Sequence, residues 1–268
     1  PGLIGTMANV DIPLAPEVRR YFYPGTTHGG GGGGFNLASG ASGCVLAANP
    51  NPETESQRAL FVDLTDWVTK GIDMPASTYP KLSDGTLVPA NKAAMGFPNG
   101  IPGIPNDAPN GIVNSINDYI LGSTFIYNDM SGVIGVEPPV VKQVIPTYVV
   151  KTNSDGNETA GVRSLLHQLP LGTYLGWNVT ASGFFRNQIC AFTGGYVPFA
   201  RTLAERLASG DPRPSIQERY STVGNYYFAA SMIAKQLVAQ RFLLLDDAVR
   251  ITNQALQQMT ASGLLPLH

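Results

Sequence analysis

Six consecutive glycines, Gly29–Gly34, follow His28 directly, and they constrain the chain more than any other feature. A run without Cβ atoms pays the largest backbone entropy of any residue type, and no helix or strand is stable through it. The flanking residues must therefore be separate elements joined by a loop. Upstream, residues 17–23 alternate side chains in the manner of a strand, with Val18, Arg20 and Phe22 on one face and Arg19, Tyr21 and Tyr23 on the other. Pro24-Gly25 ends it. Downstream, residues 51–71 read as a helix. Asn51 suits the N-cap, Pro52 the first helical position, Glu53 and Glu55 the positive dipole end, and Gly71 the residue past the end. Leu60, Leu64, Trp67 and Val68 form the expected buried stripe. Strand, loop and helix in that order make one βα unit of an α/β protein.

The rest of the chain is punctuated in the same way. Residues 74–112 are rich in proline and glycine and predict a long packed loop, a feature that is often functional. Residues 140–151 predict a strand, turning at Asn153-Ser154-Asp155-Gly156 into a hairpin partner at 158–163. A further strand is expected at 184–192. The tail is helical. Helices are expected at 200–209, ending at Gly210, and at about 225–243. A capping box, Ser215 with Glu218, lies between them. A last helix is expected to start after Asp246 and stop before Gly263, with Ala248, Ile251, Ala255 and Met259 inward.

Apolar residues make up 43% of the chain and charged ones 13%, a balance that can fill a core and excludes a disordered chain. The net charge of −2 has no basic stretch with interleaved aromatics, which excludes a nucleic-acid-binding surface. No apolar run approaches the ~20 residues of a membrane span. Cys44 and Cys190 permit one disulfide or two buried thiols. Asn157 and Asn178 open glycosylation sequons, and with the low lysine content they favour an exported protein, periplasmic or extracellular, over a cytoplasmic one. The chain opens Pro1-Gly2-Leu3 with no signal-peptide pattern, which leads to the expectation that polypeptide precedes it.

His28 is the sharpest candidate for chemistry. A histidine just past a strand end sits where α/β proteins build their sites, and imidazole serves as base and then acid near neutral pH. The alternative is a loop histidine beside a flexible tract. Gly29 and Gly30 would let a substrate approach the backbone. The tract also matches Gly-x-Gly-x-x-Gly, the basis of a nucleotide-dependent oxidoreductase alternative, but a dinucleotide site should open a helix directly. The sequence holds neither a Gly-x-Ser-x-Gly elbow nor a Gly-Lys-Ser/Thr P-loop. His167, among leucines, reads as a hydrogen-bonded core histidine. Scattered histidines and distant cysteines give no metal-ligand spacing, so neither metal nor cofactor is expected. Trp177 suits either a pocket wall or a core position.

Four stretches resemble a family of large bacterial proteins that carry an α/β-hydrolase domain. They are Glu17–Phe22 with Gly25-Thr26-Thr27-His28-Gly29, Asp155–Arg163, Leu169–Asn178, and Phe199–Tyr220 with its Gly210-Asp211-Pro212-Arg213 turn. The resemblance implies the C-terminal portion of an α/β-hydrolase fold with a loop-rich, partly helical extension. Residues 1–73 would be the last strand, histidine loop and helix of the core, and 74–268 a capping region. It implies a serine-type carboxylic ester hydrolase in which His28 is the triad histidine. The nucleophile and the acid would lie on an upstream N-terminal half of the same hydrolase, and a small ester would be the substrate. Glu158 and Trp177 are then expected as pocket neighbours. The competing class is a non-catalytic binding or structural subunit.

Overall fold

The computed structural model describes residues 9–33, 43–105, 107–110 and 116–267. Three strands form its central sheet: β1 (Ala47–Ala48), β6 (Gly172–Leu175) and β7 (Gly195–Pro198), in the order β1-β7-β6 and antiparallel throughout. Two hairpin-like pairs stand beside it, β2 (Leu87–Pro89) with β5 (Tyr148–Val150) and β3 (Ile116–Ile120) with β4 (Val140–Ile145). The helices are α1 (Thr54–Lys70), α2 (Lys92–Met95), α3 (Leu165–Gln168), α4 (Leu203–Ser209), α5 (Ile216–Tyr220), α6 (Val223–Ala239) and α7 (Leu245–Ser262).

Alternation along β6 and β7 sorts the core onto two faces. Tyr174 and Tyr196 are paired in register, stack with ring centroids 5.2 Å apart, and face α3, α6 and α7. Leu175 and Val197 point the other way, onto Phe97, Ile101 and Met95 of the loop region. The first face is the larger. It gathers Leu171, Ile216, Tyr226, Ala255 and Met259, each at most 1% exposed, and full burial of a side chain the size of Leu or Met contributes roughly 1.5–3 kcal/mol. Leu171 satisfies its backbone within this core, its N–H donating to the Tyr174 hydroxyl and its carbonyl accepting from the Tyr196 hydroxyl.

The tail matches its expected pattern closely. The capping box forms, with Ser215 Oγ accepting from Glu218 N and the Glu218 carboxylate accepting from Ser215 N. Gly210 and Gly263 end α4 and α7 in left-handed geometry, and Ala248, Ile251, Ala255 and Met259 are buried. Helix α7 begins one residue before Asp246, with Leu244 as the N-cap.

Elsewhere the structure corrects the expectations. Residues 17–23 form no strand. Tyr21 alone bridges Thr78, and Phe22 is held between the Thr78 carbonyl and Val162 N–H. Pro75 and Pro80 flank Thr78 and cannot donate to a ladder, so pairing stops after one step. Residues 140–151 are two strands, broken at Pro146, that belong to different pairs. The expected turn at 153–156 forms, but its closure is a single bridge from Thr152 to Glu158 and not a partner strand at 158–163. Residues 184–192 are turns with one bridge, Val179 to Ile189. The long loop of 74–112 contains the short elements β2 and α2.

Helix α1 also departs from expectation. Glu53, not Asn51, is its N-cap. Its buried face is Ser56, Ala59, Leu60 and Asp63, while Leu64 and Val68 are exposed and Trp67 is half-buried beneath the Arg19 guanidinium. Ion pairs choose this face: Asp63 with Arg241, Arg58 with Asp247, and Glu55 with Arg250. Phe61, Leu64 and Val68 are left as an exposed apolar side.

Candidate active site

The site is built around the turn that carries His28. Gly30 N–H donates to the Thr27 carbonyl at 3.0 Å, closing a tight turn with His28 and Gly29 at its corners. Gly29 has φ +79°, the positive value that the third position of a type II turn requires. A glycine after His28 is thus a backbone necessity. The next glycines run against another strand of chain. Gly31 N–H donates to the Asn51 carbonyl at 2.9 Å and Gly33 N–H to the Pro50 carbonyl at 3.0 Å. A Cβ on Gly31 would meet the Pro50 carbonyl carbon at 2.3 Å, so only glycine allows this approach. Through Gly33 the tract opens no helix, as a dinucleotide fingerprint would need. Residues 34–42 lie outside the described residues.

Two buried asparagines fix the start of the loop. Asn51 Nδ2 donates to the carbonyls of Pro24 and Gly25, 2.9 Å each, and its Oδ1 accepts from the Ser164 hydroxyl at 2.6 Å. Asn49 Nδ2 donates to Gly25 O at 2.8 Å and to Leu175 O at 2.9 Å. The loop is thereby pinned to the carboxyl end of β6. On its other side, Thr27 Oγ1 accepts from Gly194 N–H at 2.8 Å and donates to the Phe192 carbonyl at 3.2 Å, while His28 N–H donates to the same carbonyl at 3.3 Å. The His28 ring itself is exposed and lies 4.9 Å from the Phe192 ring, tilted by 32°.

Glu158 holds the loop from beneath. It is half-buried, and its Oε2 accepts from Gly25 N–H at 2.8 Å. Desolvation raises its pKa, opposed in part by that hydrogen bond. The other face of Gly25 packs on His167, where a Cβ would lie 3.2 Å from the ring. His167 is buried as expected, but neither ring nitrogen has a hydrogen-bond partner among the described residues. Burial, aided by the charge of Arg163, lowers its pKa to about 3, so the ring is neutral.

Glu158 and His167 share the wall of a cavity of about 380 Å³ with Asp155 and Arg219. Its polar groups are largely matched to one another. Arg219 pairs with both Asp155 oxygens, Tyr220 donates to Pro170 O, and Thr159 donates to Lys151 O. His28 lies outside this wall. Trp177 lies in the apolar cluster with Phe97, ring centroids 6.3 Å apart, so it and Glu158 sit in different surroundings. Of the sequence candidates, His28, Gly29, Gly30 and Glu158 thus belong to one loop assembly and Trp177 does not. Gly30 sits at the end of the turn, where a Cβ would strike the Glu53 side chain at 2.8 Å.

Sequence reasoning missed Asn49, Asn51 as a clamp, Ser164 and Phe192. The repeated Asn-Pro of residues 49–52 was the available signal. Two prolines remove backbone donors, and two asparagines supply side-chain donors in their place. Cys44 and Cys190 form a disulfide. Asn157 and Asn178 are 1% and 0% exposed and pair with the backbone of β6 and of Leu46, so both sequon asparagines are structural.

Comparison with curated proteins and with solved structures gives no match. Residues 7–253 match the family model described as alpha/beta hydrolase domain, and the chain belongs to that family.

Proposed function

We propose that the protein acts as a serine-type carboxylic ester hydrolase, with His28 as its general base. The supporting observation is the mounting of His28: a turn whose backbone is held by Asn49, Asn51, Glu158 and the Phe192–Gly194 segment, with the imidazole left open to solvent. A catalytic base is most effective on a fixed backbone, with its ring within reach of the proton that it takes. The family match supports hydrolase chemistry.

In this reading a serine on polypeptide outside these residues attacks the ester carbonyl. His28 takes the hydroxyl proton and passes it to the departing alkoxide, leaving an acyl-serine. Water then attacks the acyl group, His28 again taking and returning the proton, and the acid is released. A carboxylate on the same outside polypeptide would orient the ring. The exposed apolar side of α1, with Phe61, Leu64 and Val68, fits coverage by such polypeptide.

A fluorophosphonate probe tests the nucleophile, and His28→Ala tests the base. The active material is expected to label at a serine outside these residues, and His28→Ala to lower ester turnover by about 10⁴-fold with folding intact. Turnover that survives the substitution would remove His28 from the chemistry.

A further inference from the structure

We propose that Phe192 is a positioning residue for His28, and that the Cys44–Cys190 disulfide keeps it in place. This deepens the ester hydrolase reading and rests on it. Phe192 is 76% exposed. It nevertheless meets His28 twice. Its ring lies 4.9 Å from the imidazole, and its carbonyl accepts from both His28 N–H and Thr27 Oγ1. Gly194, two residues on, donates to the same threonine hydroxyl. Backbone and ring together therefore set both the height of the turn and the plane of the imidazole.

The segment that carries Phe192 is held through short backbone contacts with Asn178–Thr180. It contains no regular secondary structure before β7, and Phe184, Phe185 and Ile189 are exposed. Its restraint is local: Cys190 N–H donates to Asn178 O, Thr193 N–H to Cys190 O, and Cys190 is bonded to Cys44. Cys44 bridges Thr180, two residues on from Asn178, whose amide grips both backbone groups of Leu46. The covalent link thus fastens Phe192, two residues from Cys190, to the β1 end of the sheet. An ester reaching the imidazole would do so past this ring, which also gives the open face of the site an apolar wall.

The test reads His28 directly, by the NMR resonances of its imidazole in the intact chain. Phe192→Ala is expected to move them toward the values of a free imidazole, and Phe192→Tyr to keep them near wild type. Reduction of the disulfide, or Cys44→Ser with Cys190→Ser, should shift them in the same direction as Phe192→Ala. In the active enzyme, Phe192→Ala should lower kcat about tenfold or more with a smaller change in KM, because misplacing a catalytic group acts on the chemical step. Phe192→Tyr should restore it, and Phe184→Ala, at a neighbouring exposed ring, should have no effect. His28 resonances unchanged in Phe192→Ala would overturn the proposal, and unchanged resonances on reduction would overturn the part assigned to the disulfide. If His28→Ala retains turnover while the resonances respond as expected, the hydrolase reading fails and the Phe192–His28 contact stands.

Discussion

Asn51 donates from one amide nitrogen to two successive carbonyls, those of Pro24 and Gly25, and is itself fully buried. A residue that by sequence should cap a helix instead tethers a loop. Replacing it with alanine leaves the Pro24 carbonyl and the Ser164 hydroxyl without that partner, while the Gly25 carbonyl keeps Asn49 Nδ2. Each buried group so orphaned costs about 1–3 kcal/mol, with some recovery by water. Asn51→Ala is therefore expected to lose about 2–4 kcal/mol in urea unfolding. Loss below the error of that measurement would show that the clamp does not restrain the folded loop.

The glycine tract offers a paired test within two residues. Gly31→Ala would push a Cβ into the Pro50 backbone at 2.3 Å, whereas a Cβ on Gly32 would meet nothing within 4 Å. Gly31→Ala should cost about 1–3 kcal/mol and displace the His28 turn. Gly32→Ala should be near neutral or slightly stabilising, since it restricts the unfolded chain. Thermal unfolding of the two variants side by side checks this, and equal effects would contradict the close approach.

His167 sets a pH dependence of known sign. Its pKa falls from 6.5 to about 3 on folding, because burial disfavours the cation. Below pH 6.5 the unfolded chain takes up a proton that the folded ring refuses. Stability therefore falls with acidification, by up to about 1.4 kcal/mol per pH unit and by about 2 kcal/mol at pH 5. Glu158 works in the opposite sense: its raised pKa means that its contribution is lost as pH rises. Comparing urea midpoints of wild type and His167→Leu between pH 7 and pH 5 isolates the histidine. The variant should show the shallower fall, and parallel curves would contradict a buried neutral ring.

Arg213 is fully buried and pairs with Asp211 through two nitrogens, while its remaining donors reach Thr173, Val197 and Pro198. Asp211→Ala would strand a guanidinium in the core and is expected to cost about 3–5 kcal/mol. Arg213→Met with Asp211→Ala should cost less than the sum of the single changes. A double-mutant cycle in urea reads this coupling, and strict additivity would place the pair outside one network.

The elements that were legible from sequence share a property: their signals are local. The box of Ser215 and Glu218, the stop at Gly210 and the inward stripe of α7 each depend on residues within one or two turns. Two of the failures depend on partners far along the chain. Residues 17–23 alternate like a strand, but their one bridge among the described residues is to Thr78, in a segment broken by Pro75 and Pro80. Helix α1 carries two apolar stripes, and the choice between them was made by Arg241, Asp247 and Arg250 about 190 residues away. Pro146 was a local signal that should have divided 140–151. In the site, His28 on a glycine-rich loop could be read directly, but not the turn closed by Gly30 and Thr27, which gives Gly29 its positive φ.

By itself the sequence determined that His28 stands on a loop and that helices close the chain, because capping, periodicity and glycine geometry act over a few residues. Tertiary structure alone decided which glycine is indispensable, that Asn51 clamps a turn and caps no helix, and that Phe192 lies against His28. Those outcomes are contacts between segments from 19 to 164 residues apart, and no pattern in one segment encodes where the other will arrive.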